Sequence, residues 1–578
     1  MRVSFPLLAI FALTANSAVC ANNTARKPVV KISQGTITGF TNTSTSVPVE
    51  AFLGIPYVLP PVRFARAKPV PAGYGDVDAG RFGVACTQNV TEPFVAVSED
   101  CLTVNVFRPA NVSADAKLPV AIFHYGGSFN AGGSLIYPGW TLIKDAVEAR
   151  KPFVYVTLNY RVGMYGFAAG ASLYEQVKKG NATLNPAYWD QREAQLWVAE
   201  NIAAFGGDPK KVTIWGQSAG AFAVGAHLTL KDNQKAANRP FRAAILQSGT
   251  PQFPVTLPPT HPTLSAAYDN LLNYTGCSST SSSKALACLR SVSASKFAAA
   301  NLKVILNPAV SLGVVYTPPV RDGDFFPDSP NSLVRSGKFA DVPILIGNMN
   351  DEGTLFAPTT RSGPAAFEKF ARGFLQTNTT PSTQVNPVFQ NLTKLYPDDL
   401  PQGSPYLNAP TKVSQGITNG SDPFFATPVK NQYKRLSSLL GDVTFSAQTR
   451  FFLQNLRSGG RSSPAWGYVV RQLDRTARTA AGCAHANDLP YLFGYTVAFS
   501  PTSQYEPLAR MMRRAWVSFV VDLDPRTADG LRWPAYDGKA GKALFQFKGL
   551  NSTVVRDDFR EEGMAFLTSS EAASVFSS

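Results

Sequence analysis

Histidine is scarce in this 578-residue chain: His124, His227, His261 and His485 are all it has. Any chemistry that needs an imidazole must use one of those four positions. Cysteine is nearly as sparse, with six in total. Past the first residues no apolar run approaches the ~20 needed to cross a bilayer, so no membrane span is expected. The C-terminal stretch Glu571-Ala-Ala-Ser-Val-Phe-Ser-Ser578 carries no hydrophobic tail for a lipid anchor. No internal repeat is visible, which argues against a solenoid or propeller. Acidic residues are outnumbered, 39 against 54 basic ones, for a formal charge of +15. Such an excess raises nucleic acid, anionic lipid or acidic polysaccharide as partners. The basic residues are scattered, however, and the densest cluster, Arg510 with Arg513 and Arg514, falls on a helical pattern. No reader motif accompanies them, so nucleic-acid binding is not expected.

What is present at the start is informative. Arg2 is followed by an apolar run over residues 5–13 and then by the small residues Ser17-Ala-Val-Cys-Ala21. That order reads as a secretory signal peptide over residues 1–20, leaving one domain over residues 21–578. Ten Asn-x-Ser/Thr sequons agree with export: Asn22, Asn42, Asn89, Asn111, Asn181, Asn273, Asn378, Asn391, Asn419 and Asn551. They are expected at the surface, in loops. Removing Cys20 with the leader leaves five cysteines. In an oxidising compartment the natural short-loop pairs are Cys86–Cys101 and Cys277–Cys288, with Cys483 left as a buried apolar thiol.

Hydrophobic residues make up 44% and charged residues 16%, the balance of a packed globular chain. Short apolar runs at 119–123, 153–158, 212–215, 243–246 and 342–346 read as buried strands. Residues 190–205 read as a helix, with Leu196, Val198, Ala199, Ile202 and Phe205 at helical spacing, and a long helix is expected over about 505–521. Strand and helix in alternation predict an α/β fold, a mostly parallel sheet covered on both faces, with helical insertions after about residue 360. Reactive groups in such a sheet sit on loops past the carboxyl ends of the strands. Ser/Thr-rich stretches at 278–283 and 376–383 look like surface loops.

The sharpest local signal is Gly216-Gln217-Ser218-Ala219-Gly220. A nucleophilic serine must stand on a tight strand-to-helix turn, and flanking glycines let the backbone make it. Here a strand precedes the motif and a small-residue helix follows, which is the context the motif requires. Of the four histidines, His485 suits the base: it lies in a late loop, Gly482-Cys-Ala-His-Ala-Asn-Asp-Leu-Pro490, matching the chain order serine, acid, histidine. The acid should follow a strand between them, and in Asn350-Asp351-Glu352-Gly353 two carboxylates compete; spacing does not choose. The loop His124-Tyr-Gly-Gly-Ser-Phe129, after the strand at 119–123, has the small residues needed to aim backbone amides at a developing oxyanion.

With these motifs in this order, the mature chain resembles the type-B carboxylesterase/lipase family of the α/β-hydrolase fold, which includes the cholinesterases and the large fungal lipases. The resemblance runs through Phe52-Leu-Gly-Ile-Pro-Tyr57, Ser98-Glu-Asp-Cys-Leu-Thr-Val-Asn105, Asn159-Tyr-Arg-Val-Gly163, Asp190-Gln191, Asn201-Ile-Ala-Ala-Phe-Gly-Gly-Asp-Pro209, Gln247-Ser-Gly249, Asn350-Asp-Glu-Gly353 and Trp533-Pro-Ala-Tyr536. It implies Ser218, Glu352 and His485 as the triad, and oxyanion amides from Gly127, Ser128 and Ala219. It also implies Ser248 and Asp488 as buried polar support behind the triad. No metal and no organic cofactor are implied, and the partner is a small-molecule ester.

Three departures from the family bear on substrate. Ser128 stands where the family usually has glycine, which puts a hydroxymethyl group near the oxyanion. Gln217 replaces the frequent glutamate before the nucleophile. The loop between Cys86 and Cys101 holds only fourteen residues, against a long lid in the lipases and a gorge-lining loop in the cholinesterases. These predict an open site without interfacial activation and disfavour choline esters. The expected activity is that of a carboxylesterase on small or aromatic esters, feruloyl-type plant esters among them. The alternatives are a triacylglycerol lipase or sterol esterase and, further off, a non-catalytic adhesion protein on the same fold. Phe129, Tyr137, Phe222 and Phe356 are candidate pocket aromatics that could equally be core. Nothing in the sequence sets an oligomeric state.

Overall fold

The computed structural model describes residues 27–88, 96–252, 256–307, 310, 317–358, 363–375, 382–397, 403–404, 432–472, 481–494, 505–526, 530–537, 541–573 and 575–576. Eleven strands form its central sheet: β1 (Phe40–Asn42), β2 (Val49–Pro56), β3 (Thr103–Pro109), β4 (Leu118–His124), β5 (Val154–Leu158), β6 (Gly207–Gln217), β7 (Ala243–Gln247), β8 (Ile344–Met349), β9 (Ala465–Val470), β10 (Ala543–Phe547) and β11 (Thr553–Arg556). Their spatial order is β11-β10-β9-β8-β7-β6-β4-β5-β3-β2-β1. The seven strands from β10 to β5 run parallel, while β3, β2 and β1 at one edge and β11 at the other pair antiparallel. All five runs expected as strands fall on central strands, although Phe153, Val342 and Pro343 lie just before β5 and β8. β5, β7 and β8 are buried along their whole length. A parallel strand covered on both faces shows an unbroken apolar run rather than alternation.

Five helices matter for the site: α1 (Trp140–Glu148), α2 (Pro186–Asn201), α3 (Ala219–Thr229), α4 (Tyr433–Gly441) and α5 (Glu506–Asp522). The helix expected over 190–205 is α2 continued by a 3₁₀ turn, Ile202–Phe205. α2 starts on a proline, where the missing N–H costs nothing. The basic cluster on α5 is divided between solvent and core, with Arg510 exposed and Arg514 half-buried. Arg513 is 2% exposed and is paired with Asp145 of α1 and with Glu506. The Ser/Thr-rich stretch at 278–283 is only partly loop: Ser281 caps a helix, Ser282–Ser291. Of the stretch at 376–383, residues 376–381 lie outside the described residues.

Both expected disulfides, Cys86–Cys101 and Cys277–Cys288, are closed, and Cys483 is free and buried. Among the described residues no helix is long and apolar enough to cross a membrane. Of the sequons, Asn111, Asn181, Asn273 and Asn551 are exposed, and Asn42 and Asn391 are half-buried. Asn273 and Asn391 sit in helices, and Asn42 in a strand, rather than in loops. Asn22, Asn89, Asn378 and Asn419 lie outside the described residues, as does the leader.

Candidate active site

β6 ends at Gln217 and α3 begins at Ala219, so Ser218 is the single residue of the turn between them. Its backbone is held at φ 56°, ψ −125°, a conformation that costs a non-glycine residue about 1–3 kcal/mol. Its N–H donates to Gln247 O at 2.8 Å, which helps to hold the turn. The flanking glycines are sterically required. A Cβ on Gly216 would lie 2.2 Å from Gly220 O, and one on Gly220 would lie 1.9 Å from His124 O.

The hydroxyl so presented meets His485. Ser218 Oγ lies 2.8 Å from His485 Nε2, and His485 Nδ1 lies 2.5 Å from Glu352 Oε2. With a carboxylate at Nδ1, that nitrogen carries the proton, and Nε2 is left to accept from the serine. Glu352 is 1% exposed, while Ser218 (9%) and His485 (8%) just reach the surface of the site. The second oxygen of Glu352 accepts from Ser248 Oγ at 2.6 Å and from Met349 N at 2.7 Å. The two adjacent acids are therefore told apart by what they hold. Asp351 accepts from Ser404 Oγ and from Cys483 N, both at 2.9 Å, and so anchors the loop that delivers His485. Gly353 must be glycine: a Cβ there would lie 1.9 Å from Ser437 O of α4.

Asp488 lies fully buried near the imidazole. Burial above all, with the Glu352 charge adding, pushes its carboxyl up to about 6, against the hydrogen bond from Gln247 Nε2. Gln217 brings Nε2 to 3.4 Å from His485 Nε2, a long contact on the same lone pair that faces the serine. The other histidines are placed elsewhere. His124 and His227 are wholly buried, and that burial holds both below the ordinary histidine range, His124 at about 4. His261 caps the helix Pro262–Thr275 by accepting from Thr263 N.

The loop after β4 crosses directly over Ser218. A Cβ on Gly126 would lie 2.9 Å from Ser218 Cβ and 2.7 Å from Gln217 O. Gly127, Ser128 and Phe129 follow with φ of 123°, 55° and 61°. Among the described residues no hydrogen bond occupies the amides of Gly127 or Ser128. Ala219 is the first residue of α3, so its N–H has no partner within the helix and adds the positive end of the helix dipole. Of the candidate aromatics, Phe129 packs on Phe167 and Tyr137 on Phe123, both as core. Phe356 borders the site directly, 5.3 Å from the His485 ring, and Phe222 does so through a residue that sequence reasoning missed. Phe445 packs tilted against the His485 ring, with centroids 4.7 Å apart, and Phe356 and Phe222 each lie 6.0 Å from the Phe445 ring. Phe445 lies in the π-helical segment Asp442–Ser446, and no motif marks it. Among the described residues, no group of three or more His, Cys, Asp or Glu side chains is placed to hold a metal ion.

The model of the carboxylesterase family matches residues 26–566. The chain belongs to that family. This member of a family of carboxylic-ester hydrolases is similar to "Lipase 4" of Diutina rugosa, 34% identical over 93% of the chain and 95% of the relative. It is likewise 34% identical to "Secreted triacylglycerol lipase LIP1" of Gibberella zeae, over 95% of the chain and 92% of the relative. Among solved structures, Aspergillus niger EstA matches with a TM-score of 0.76 at 26% identity, covering 94% of this carboxylesterase-family chain and 98% of EstA. That neighbour carries the same α/β-hydrolase fold.

Proposed function

We propose that this chain is an extracellular serine ester hydrolase that works through an acyl-enzyme on Ser218. The observation that carries the reading is the hydrogen-bonded line from Ser218 Oγ through His485 to Glu352. Ser218 attacks the ester carbonyl while His485 Nε2 takes the hydroxyl proton. The amides of Gly127, Ser128 and Ala219 receive the negative charge that develops on the carbonyl oxygen. His485 then gives its proton to the departing alcohol, and Glu352 stabilises the imidazolium between the two transfers. A water molecule repeats the sequence and frees the acid. A glutamate can fill this role, because its task is to orient the ring and balance its charge.

For substrate we favour small or aromatic carboxylic esters that reach Ser218 through an open site. The short Cys86–Cys101 loop supports this, since it is too small to serve as an apolar flap. The aromatic wall of Phe445, Phe356 and Phe222 supports it as well. A second reading, triacylglycerol lipase, rests on the names of the relatives. The leader-like start, the sequons exposed at Asn111, Asn181, Asn273 and Asn551, and the relatives named as secreted favour export and glycosylation.

Replacing Ser218 by Ala in the purified protein should lower ester hydrolysis by at least ~10³-fold; full activity in that variant would end the proposal. Rates on p-nitrophenyl acyl esters, hydroxycinnamate esters and triglycerides, followed across the solubility limit, separate the two substrate readings. A sharp rise at the emulsion would favour the lipase.

A further inference from the structure

We infer that His124, held by Gln195, is a positioning residue that sets the oxyanion loop against the nucleophile turn. This rests on the role proposed above for Ser218 and the amides around it. The β6–β4 ladder has its last rung at Gly216↔His124. Beyond that rung the two strands part, one to carry Ser218 and the other to carry Gly127 and Ser128. Their relative placement therefore depends on what binds the strand ends together at that point.

His124 does so from both its backbone and its ring. Its carbonyl abuts Gly220, the residue where a Cβ would come within 1.9 Å. Its ring lies wholly buried, with Nδ1 3.1 Å from Trp215 O on β6 and Nε2 3.2 Å from Gln195 Nε2 on α2. A carbonyl can only accept, so Nδ1 carries the proton and donates, and Nε2 accepts from the Gln195 amide. The ring thus bridges β4 to β6 three residues before the nucleophile, and α2 fixes the ring. Next to it, His227 of α3 makes a parallel tie, with Nε2 3.1 Å from Gln191 Oε1, also on α2. The two imidazoles lie 5.9 Å apart. Gln191 and Gln195 are four residues apart on α2 and so share one face. Helix α2 therefore grips the strand that leads to the oxyanion loop and the helix that follows the serine.

An aliphatic side chain would fill this dry space without the desolvation cost of an imidazole. What His124 supplies beyond volume is direction: two hydrogen bonds of fixed geometry at the last rung. A misplacement well below 1 Å at the oxyanion donors costs rate without loosening substrate, because those donors act mainly on the transition state.

The test uses the full-length purified enzyme and the variants His124→Leu, His124→Asn and Gln195→Leu. His124→Leu should lower kcat on a soluble p-nitrophenyl ester by about tenfold, with KM changed by less than about twofold. It should weaken binding of an aryl trifluoromethyl ketone, which becomes a tetrahedral oxyanion on the serine, by the same factor. His124→Asn, whose side-chain N–H can still donate to Trp215 O, should recover most of both. Gln195→Leu should fall between. Unchanged ketone affinity in His124→Leu overturns the inference, as does an Asn variant as impaired as Leu at an equal melting temperature. If His124→Leu does not fold, Gln195→Leu decides: wild-type kcat and ketone affinity there refute the role. A wild-type enzyme that does not bind the ketone at all refutes instead the reading of Ser218 as nucleophile.

Discussion

Asp488→Asn should make this protein more stable and less active at the same pH. The carboxyl is completely buried, with Oδ2 accepting from Gln247 Nε2 at 2.5 Å. Burial first, and then the nearby Glu352 charge, raises it from the ordinary 3.8 to about 6. That rise is worth about 3 kcal/mol of preference for the neutral form in the folded chain. Between about pH 4 and pH 6 the folded protein keeps a proton that the unfolded chain has released. Stability therefore falls as pH rises through this window; the penalty is absent below it and complete above it. Asparagine keeps an oxygen for Gln247 and carries no charge. At roughly 2.1 cal/mol/K per residue of unfolding entropy, 1 kcal/mol over a chain of this length is worth about 1 °C. Melting curves should show the variant about 2–3 °C above wild type at pH 7.5 and level with it near pH 4. Under the proposed mechanism activity moves the other way, because the buried Asp488 carboxylate attracts the positive charge that His485 gains in each proton transfer. Loss of that attraction should lower kcat about tenfold at pH 7.5, a change equivalent to about 1.4 kcal/mol of barrier. A melting difference that does not depend on pH, or an unchanged kcat, would refute this account of Asp488.

Two further outcomes follow from the packing. Gly126→Ala forces a methyl to within 2.9 Å of Ser218 Cβ, so kcat/KM should fall by at least ~10²-fold while near-UV circular dichroism stays native; wild-type rates would show that the loop can give way. Arg161→Met removes the partner of Asp190, which is bound through two contacts of 2.8 and 2.6 Å in a buried site. A loss of about 3–5 kcal/mol in denaturant unfolding is expected, and a change within about 1 kcal/mol would mean the pair is dispensable.

The central strands were legible because parallel strands buried on both faces are apolar along nearly their whole length, as 243–246 is and as 153–158 is except at Thr157. The antiparallel edge was not. β3 reads Thr-Val-Asn-Val-Phe-Arg-Pro, with Asn105 and Arg108 inside it. Those polar residues are satisfied by pairings no local window contains: Asn105 with Ser134 and Thr157, and Arg108 with Glu50. The sharp turn at Ser218 and its meeting with His485 were readable from local sequence, since such a turn needs its glycines and few histidines compete. The choice between Asp351 and Glu352 was not readable from spacing, because it depends on Ser404, Cys483 and Ser248 arriving from elsewhere in the chain. Phe445 was invisible for a similar reason: a phenylalanine in a helical stretch carries no mark of the imidazole it will face.

The sheet order explains why Glu352, rather than Asp351, meets His485. The oxyanion loop, Ser218, Ser248 and Glu352 follow β4, β6, β7 and β8, which are neighbours in that order. Ser218 and Ser248 turn off their strands with nearly the same φ, 56° and 54°, and each N–H bonds the end of the next strand, at Gln247 O and Gly347 O. His485 follows β9, three strands away from β6, or about 14 Å at ~4.8 Å per strand. Its loop must lean back across β8 and β7 to reach the serine. Asp351 supports that lean by holding Cys483 N, two residues before the histidine. The acid that orients the ring then has to come from the next residue and span Ser248 on one oxygen and His485 on the other. The extra methylene of Glu352 supplies that reach, which the shorter side chain of Asp351, committed to the loop backbone, does not have.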